Sequence, residues 1–185
     1  KRLSKGSYAL FNDEFGRTID RQHKMDGELK QSICNHELIC YFQPQYNSKT
    51  KTIVGFEALV RWNSATFGMI SPLQFIEMAE KNGFIIELGR CVVEQTFAFA
   101  KSLEGRNLLV SFNTSPTELL QMDFTAYVIG SFNYYGLAPG SVAIEVTESC
   151  LIESFQEVAE KLQILSDHGI MVYLDDFGTG FSSLT

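Results

Sequence analysis

Side-chain polarity along the chain changes character near residue 33. Before it, Phe15, Ile19, Met25 and Leu29 are sparse apolar positions in the charged run NDEFGRTIDRQHKMDGELKQS. That spacing predicts a solvated linker helix, weakened by Gly16 and Gly27. After it come five strand-like segments: ICYFQPQY, TIVGFEALVRW, LLVSFNTS, SVAIEVTE and IMVYLDD. The stretches between the later ones are amphipathic and long enough for helices. Ser71-Pro72 with Gln74, and Ser115-Pro116 with Glu118, each offer an N-cap, a proline in the first turn and a capping-box partner. Gly83, Gly136 and Gly169 stand where those helices should stop, and His168 sits where a helix C-terminus favours a cation. Strand and helix alternating in this way predict a parallel sheet, which a doubly wound fold and a barrel both satisfy.

The faces of the predicted strands carry more information than their order. In TIVGFEALVRW, Val54, Phe56, Ala58, Val60 and Trp62 share one apolar face, while Glu57, Leu59 and Arg61 share the other. Val110 and Phe112 oppose Ser111, Asn113 and Ser115; Val142, Ile144 and Val146 oppose Ala143, Glu145 and Thr147. The last strand ends in Asp175, with Asp176 next. Strands buried on both faces normally read as unbroken apolar runs. Four strands that each deliver an oxygen-bearing side chain late therefore predict one shared site at their carboxyl ends, where barrels and open α/β sheets place their chemistry.

Composition removes several classes of function. With 185 residues, 45% hydrophobic and 20% charged, the chain can bury one substantial core. A formal net charge of −7 argues against a broad grip on nucleic acid. Cys34, Cys40, Cys91 and Cys150 lack CxxC spacing and read as reduced core thiols, and His23 and His36 as surface histidines. The longest apolar runs fall short of a membrane span and KRLSKGSYAL lacks a full signal-peptide core, so no membrane contact is expected from this region. The expected location is cytoplasmic, as a separate protein or as the cytoplasmic portion of a larger, membrane-attached one.

Glu57, Asn113, Glu145, Asp175 and Asp176 offer only oxygen donors, which suit Mg²⁺ or Mn²⁺. Four carboxylates exceed what one divalent ion neutralises, so a two-metal site is expected. Such a pair would relieve the repulsion between adjacent aspartates and acidify a water for attack on a phosphodiester.

The ordered series FQPQ, EALVRW, NTS, EVTES and DDFGTGFSS resembles the EAL domain, the phosphodiesterase that linearises cyclic di-GMP in bacterial signalling. The resemblance runs from Glu37 to Thr185. SYALF and the charged run after it look like the end of a GGDEF domain and a linker helix. The organisation implied is a GGDEF-like tail with its linker over 1–32 and the N-terminal part of an EAL domain over 33–185. The family fold is a TIM-like (β/α) barrel, of which about the first five of eight strands are expected here. The resemblance also implies a homodimer, Mg²⁺ or Mn²⁺, and hydrolysis of cyclic di-GMP to linear pGpG.

On that resemblance Glu57, Asn113, Glu145, Asp175 and Asp176 are metal ligands. Gln43 contacts a guanine, Arg61 a ligand phosphate, and Leu59 lines the pocket. Glu148 anchors the loop from Phe177 to Ser183, in which Phe181 replaces the more usual Tyr. The family's later motifs, including a lysine, a further metal-binding glutamate and a distal glutamine, have no positions here. The 185 residues alone are therefore expected to be inactive, and an open half barrel is expected to pair or aggregate. Two alternatives remain: a non-catalytic cyclic di-GMP receptor acting through dimerisation, and a different metal-dependent phosphatase on a similar sheet.

Overall fold

The register between neighbouring strands decides which side chains meet. The computed structural model describes residues 13–147 and 155–175; Glu148, Cys150, Asp176, the segment 177–183 and the SYALF stretch lie outside them. β1 (Ile39–Tyr46) and β2 (Ile53–Ser64) form an antiparallel hairpin, and the short β3 (Gly68–Ile70) folds back on the end of β2. β2, β4 (Leu109–Asn113), β5 (Val142–Thr147) and β6 (Met171–Asp175) run parallel, giving the order β1-β2-β4-β5-β6. All five expected strands form. β3, with three residues, is too short to show a periodicity in the sequence.

The hairpin follows from the length of its connection. Residues 47–52 are too few for a parallel crossover, which needs a dozen or more. The Asn47 side chain accepts the Lys49 and Thr50 amides at 2.9 and 3.1 Å, fixing a turn through its own backbone.

Helices α1 (Asp13–Cys34), α2 (Pro72–Asn82), α3 (Ile85–Ser102), α4 (Pro116–Leu119), α5 (Phe124–Tyr134) and α6 (Phe155–Asp167) complete the described chain. The apolar strand faces turn toward these helices. Val110, Phe112, Val142, Ile144 and Val146 are fully buried, and Phe97 of α3 meets Phe112 edge-on at 5.9 Å. Gly83 and Gly169 close helical segments in the left-handed region, at φ 76° and 85°, where a side chain would be strained. The His168 imidazole caps α6, its Nδ1 lying 2.7 Å from the Ile164 carbonyl.

Three local expectations come out differently. Ser71 makes no side-chain cap bond, and the Gln74 side-chain amide turns toward the Met25 sulfur of α1 at 3.4 Å. Cys34 is exposed rather than in the core, whereas Cys40 is buried and Cys91 partly so. Burial, then the neighbouring Cys91, pushes the Cys40 thiol up to about 12, so it stays protonated.

The third difference concerns α1. Its expected solvated character holds for the first turns, but Met25, Leu29 and Ile33 enter the core. Trp62 of β2, fully buried, donates its indole N–H to Ser32 Oγ at 3.1 Å, and Ser32 in turn donates to Glu37 at 2.9 Å. Glu28 accepts from the Ser64 hydroxyl at 2.5 Å and from the Thr66 amide at 3.1 Å. The Ser64 hydroxyl does most to hold the Glu28 carboxyl below its ordinary range. The helix is thereby fastened to the strand that bears Glu57, Leu59 and Arg61.

This junction yields a stability test. Ser32→Ala strands a buried indole N–H, which should lower the unfolding free energy by about 1–3 kcal/mol in urea titrations. Unchanged stability would mean that the Trp62 contact carries no weight.

Candidate functional site

Paired residues in neighbouring strands project to the same side. The register aligns Gln43 with Glu57, Glu57 with Ser111, Ser111 with Ala143, and Ala143 with Met171. The next row holds Asn113, Glu145 and Tyr173, and the row after it Thr147 and Asp175. All these positions lie on the face away from the helices. The expected site residues Gln43, Glu57, Asn113, Glu145 and Asp175 therefore converge on one face at the carboxyl ends of the parallel strands.

Side-chain geometry confirms the convergence of the central four. The Asn113 amide donates to Glu57 Oε1 at 3.0 Å, bridging β2 and β4. Glu145 is 8% exposed and its carboxyl is held above the ordinary range. Burial is the largest cause, a hydrogen bond from Ser111 opposes it, and the negative charges of Glu57 and Asp175 add to it. Glu145 is thus close enough to feel both Glu57 and Asp175. Among the described residues, no salt bridge reaches Glu57 or Glu145.

The oxygen chemistry of this set suits a hard divalent cation. Its present geometry is looser than a finished cage, for among the described residues no three Asp, Glu, His or Cys side chains surround one point. Asp176, an expected metal ligand, and Glu148, the expected loop anchor, lie outside the described residues.

Leu59 and Arg61 occupy the same face of β2, opposite Tyr41 and Ile39. Arg61 does not stack on Trp62, which points into the core. Its guanidinium lies 5.9 Å from the Tyr41 ring centroid and donates to the Val60 carbonyl at 2.9 Å. Leu59, Arg61, Asn113 and Thr147 border a cleft of about 460 Å³, whose wall also includes Glu80 and Glu118. A hollow of about 540 Å³ at the other end of the sheet, lined by Lys101, Glu104 and Ser141, holds none of the expected residues.

Tyr41 and Ser111 are members of this face to which the sequence reading gave no role. For Tyr41 the signal was available, since it stands two residues before Gln43 in one strand. For Ser111 it was the polar position between Val110 and Phe112.

The electrostatic coupling can be tested directly. Glu57→Gln removes one of the negative charges facing Glu145, so the Glu145 pKa should fall in a carbon-detected NMR titration. The sign for stability follows: a carboxyl raised in the native state loses stability as pH climbs from its unfolded value through the native one, and the substitution should reduce that loss. An unmoved Glu145 titration would show that the two carboxylates do not interact.

Comparison with known proteins places this geometry in a family. Residues 26–185 match the model of the EAL domain. The chain is 38% identical over 185 residues to an uncharacterized signaling protein of Caulobacter vibrioides, covering 100% of this chain and 23% of that protein. It is 36% identical over 190 residues to the cyclic di-GMP phosphodiesterase PdeR of Escherichia coli, covering 100% of this chain and 28% of that protein. The chain therefore spans about a quarter of the length of these relatives. Among solved structures, the PaMucR phosphodiesterase in complex with c-di-GMP superposes with a TM-score of 0.79 at 28% identity, over 85% of this chain and 65% of that one. The EAL enzyme Bd1971 in its cAMP- and cyclic-di-GMP-bound form gives 0.82 at 28% identity, over 90% of this chain and 47% of that one. The sheet with helices on one face is accordingly part of a TIM-like α/β barrel, and the chain belongs to the EAL domain family.

Proposed function

We propose that this chain is the leading part of a metal-dependent phosphodiesterase domain that opens cyclic di-GMP to linear pGpG. The observation that carries the reading is the convergence of Glu57, Glu145 and Asp175, with Asn113 bridging to Glu57, on a face that gives Glu57 and Glu145 no salt bridge among the described residues. Concentrated negative charge of that kind is unfavourable unless a cation joins it. Relatives named for cyclic di-GMP hydrolysis and solved c-di-GMP complexes on the same fold support the substrate class.

On this reading Glu57, Asn113, Glu145, Asp175 and Asp176 hold two Mg²⁺ or Mn²⁺ ions. Bound there, the ions supply Lewis acidity toward the phosphodiester and lower the pKa of water. The chain's own residues orient the reactants. Asn113 fixes the rotamer of Glu57 through its amide bond. Arg61 leaves Tyr41 to meet a ligand phosphate with its planar fork, a geometry that lysine would not reproduce. Gln43, beside Glu57 in the hairpin, reads a guanine edge, and Leu59 supplies an apolar wall. Glu148 anchors the segment 177–183. Residues 1–32 are, on the same reading, a GGDEF-like tail and its linker, and the intact protein is a homodimer.

The decisive experiment incubates the intact protein with cyclic di-GMP and Mg²⁺ or Mn²⁺ and follows the linear dinucleotide by chromatography. Glu57→Ala and Asp175→Ala should each cost several kcal/mol of transition-state stabilisation, more than about a hundredfold in turnover. Near-normal turnover in either variant would overturn the ligand assignment, and tight binding without turnover in the unmodified protein would make it a receptor.

A further inference from the structure

We propose that Glu118 is a positioning residue for the acidic site: its buried carboxyl closes the turn after β4 and so aims the Asn113 amide at Glu57. The inference rests on the site described above but concerns a residue outside the expected ligand set. Glu118 Oε2 accepts the Ser115 amide at 2.9 Å, while the Glu118 amide donates to Ser115 Oγ at 3.2 Å. This reciprocal box makes residues 115–118 a rigid unit. Immediately before it, the Thr114 amide donates to the Glu145 carbonyl at 3.0 Å, tying the other end of the turn to β5. Asn113, the last residue of β4, is therefore followed directly by two fixed points, the Thr114 tie to β5 and the Ser115 amide held by the Glu118 carboxyl.

Two features separate this from an ordinary surface cap. The Glu118 side chain is 8% exposed and lies on Gly89 of α3 so closely that a methyl group there would overlap the carboxyl. A capping glutamate at a helix start normally faces water, whereas this one is clamped between α3 and α4 and borders the cleft that contains Leu59, Arg61 and Asn113. The second feature is its charge environment. Glu80 of α2 is the negative neighbour that acts on it, and Arg61 lies on the same cleft. Arg90 of α3 is paired with Asp123, and Lys161 of α6 is engaged by Glu157 and the carbonyls of Leu119 and Gln121.

Burial first, with Glu80 adding to it and the Ser115 bonds opposing, pushes the Glu118 carboxyl up to about 7. Near neutrality it passes from a protonated, glutamine-like cap to a buried anion. The sign is fixed by linkage: the native state holds this proton more tightly than the unfolded one, so stability falls as pH rises from the unfolded carboxylate range to about 7. As the carboxyl ionises near neutrality it gains a buried charge and accepts the Ser115 amide more strongly, so the geometry of the turn, and with it the Asn113 bond to Glu57, should change there.

The test follows the Asn113 side-chain amide resonance in the intact protein, labelled at asparagine and kept free of divalent ions. The resonance is identified by its loss in Asn113→Asp. Between about pH 6 and about pH 8.5 the unmodified protein should show a shift centred where a raised carboxyl titrates. Glu118→Gln should match it at the acid end and remain still above neutrality. Glu118→Ala should be displaced at every pH. An Asn113 resonance with one pH course in all three proteins, or one left in place by Glu118→Ala, would overturn the proposal. If Glu118→Ala does not fold, the comparison of the unmodified protein with Glu118→Gln decides alone. The measurement needs neither substrate nor metal, so absence of cyclic di-GMP hydrolysis would defeat the proposed function without touching this result.

Discussion

Like charges gathered at the carboxyl ends of parallel strands are the constraint on which the structure turns. Glu145 bears the cost of burial and, beside it, the negative charges of Glu57 and Asp175. A sheet accepts such a row only where its backbone is held from elsewhere. Fully buried Val110, Phe112, Val142, Ile144 and Val146 provide that support, keeping the opposite face in register against the helices. The apolar face thus holds the polar face in an arrangement that its own electrostatics oppose.

Polar contacts refine what packing imposes. Asn113 spans β2 and β4, and Ser111 offers Glu145 a hydrogen bond that partly offsets the burial of its charge. At the far end of β2, Glu28 and Ser32 of α1 take up Ser64, Thr66 and Trp62. The strand that carries Glu57, Leu59 and Arg61 is therefore gripped at one end by a helix and beside its middle by an amide.

Much of the candidate site was legible in the sequence, for a geometric reason. Alternation with period two assigns faces whatever the partner, so Glu57 was separated from Phe56 and Ala58, and Glu145 from Ile144 and Val146, without any tertiary information. The capping box at Ser115 was likewise readable, being closed by atoms three residues apart. The similar signal at Ser71 forms no box: Ser71 makes no side-chain cap bond, and the Gln74 side chain has a partner in Met25, 49 residues earlier in the chain. The linker helix was mistaken as solvated throughout for the same reason: Met25, Leu29 and Ile33 repeat at four-residue spacing, but what they pack against lies on remote elements.

By itself, then, the sequence determined the strands, their polar faces and the order of the motifs, whereas the parallel sheet it predicted gives way at β1 and β2 to an antiparallel hairpin. Only the tertiary structure decided that Gln43 stands beside Glu57, that Arg61 rests on Tyr41 while Trp62 reaches Ser32, and that Glu118 is buried against Gly89. The division has one physical cause. Local backbone geometry fixes the direction of a side chain, but its partner, its burial and hence its charge state depend on segments that the fold alone brings within reach.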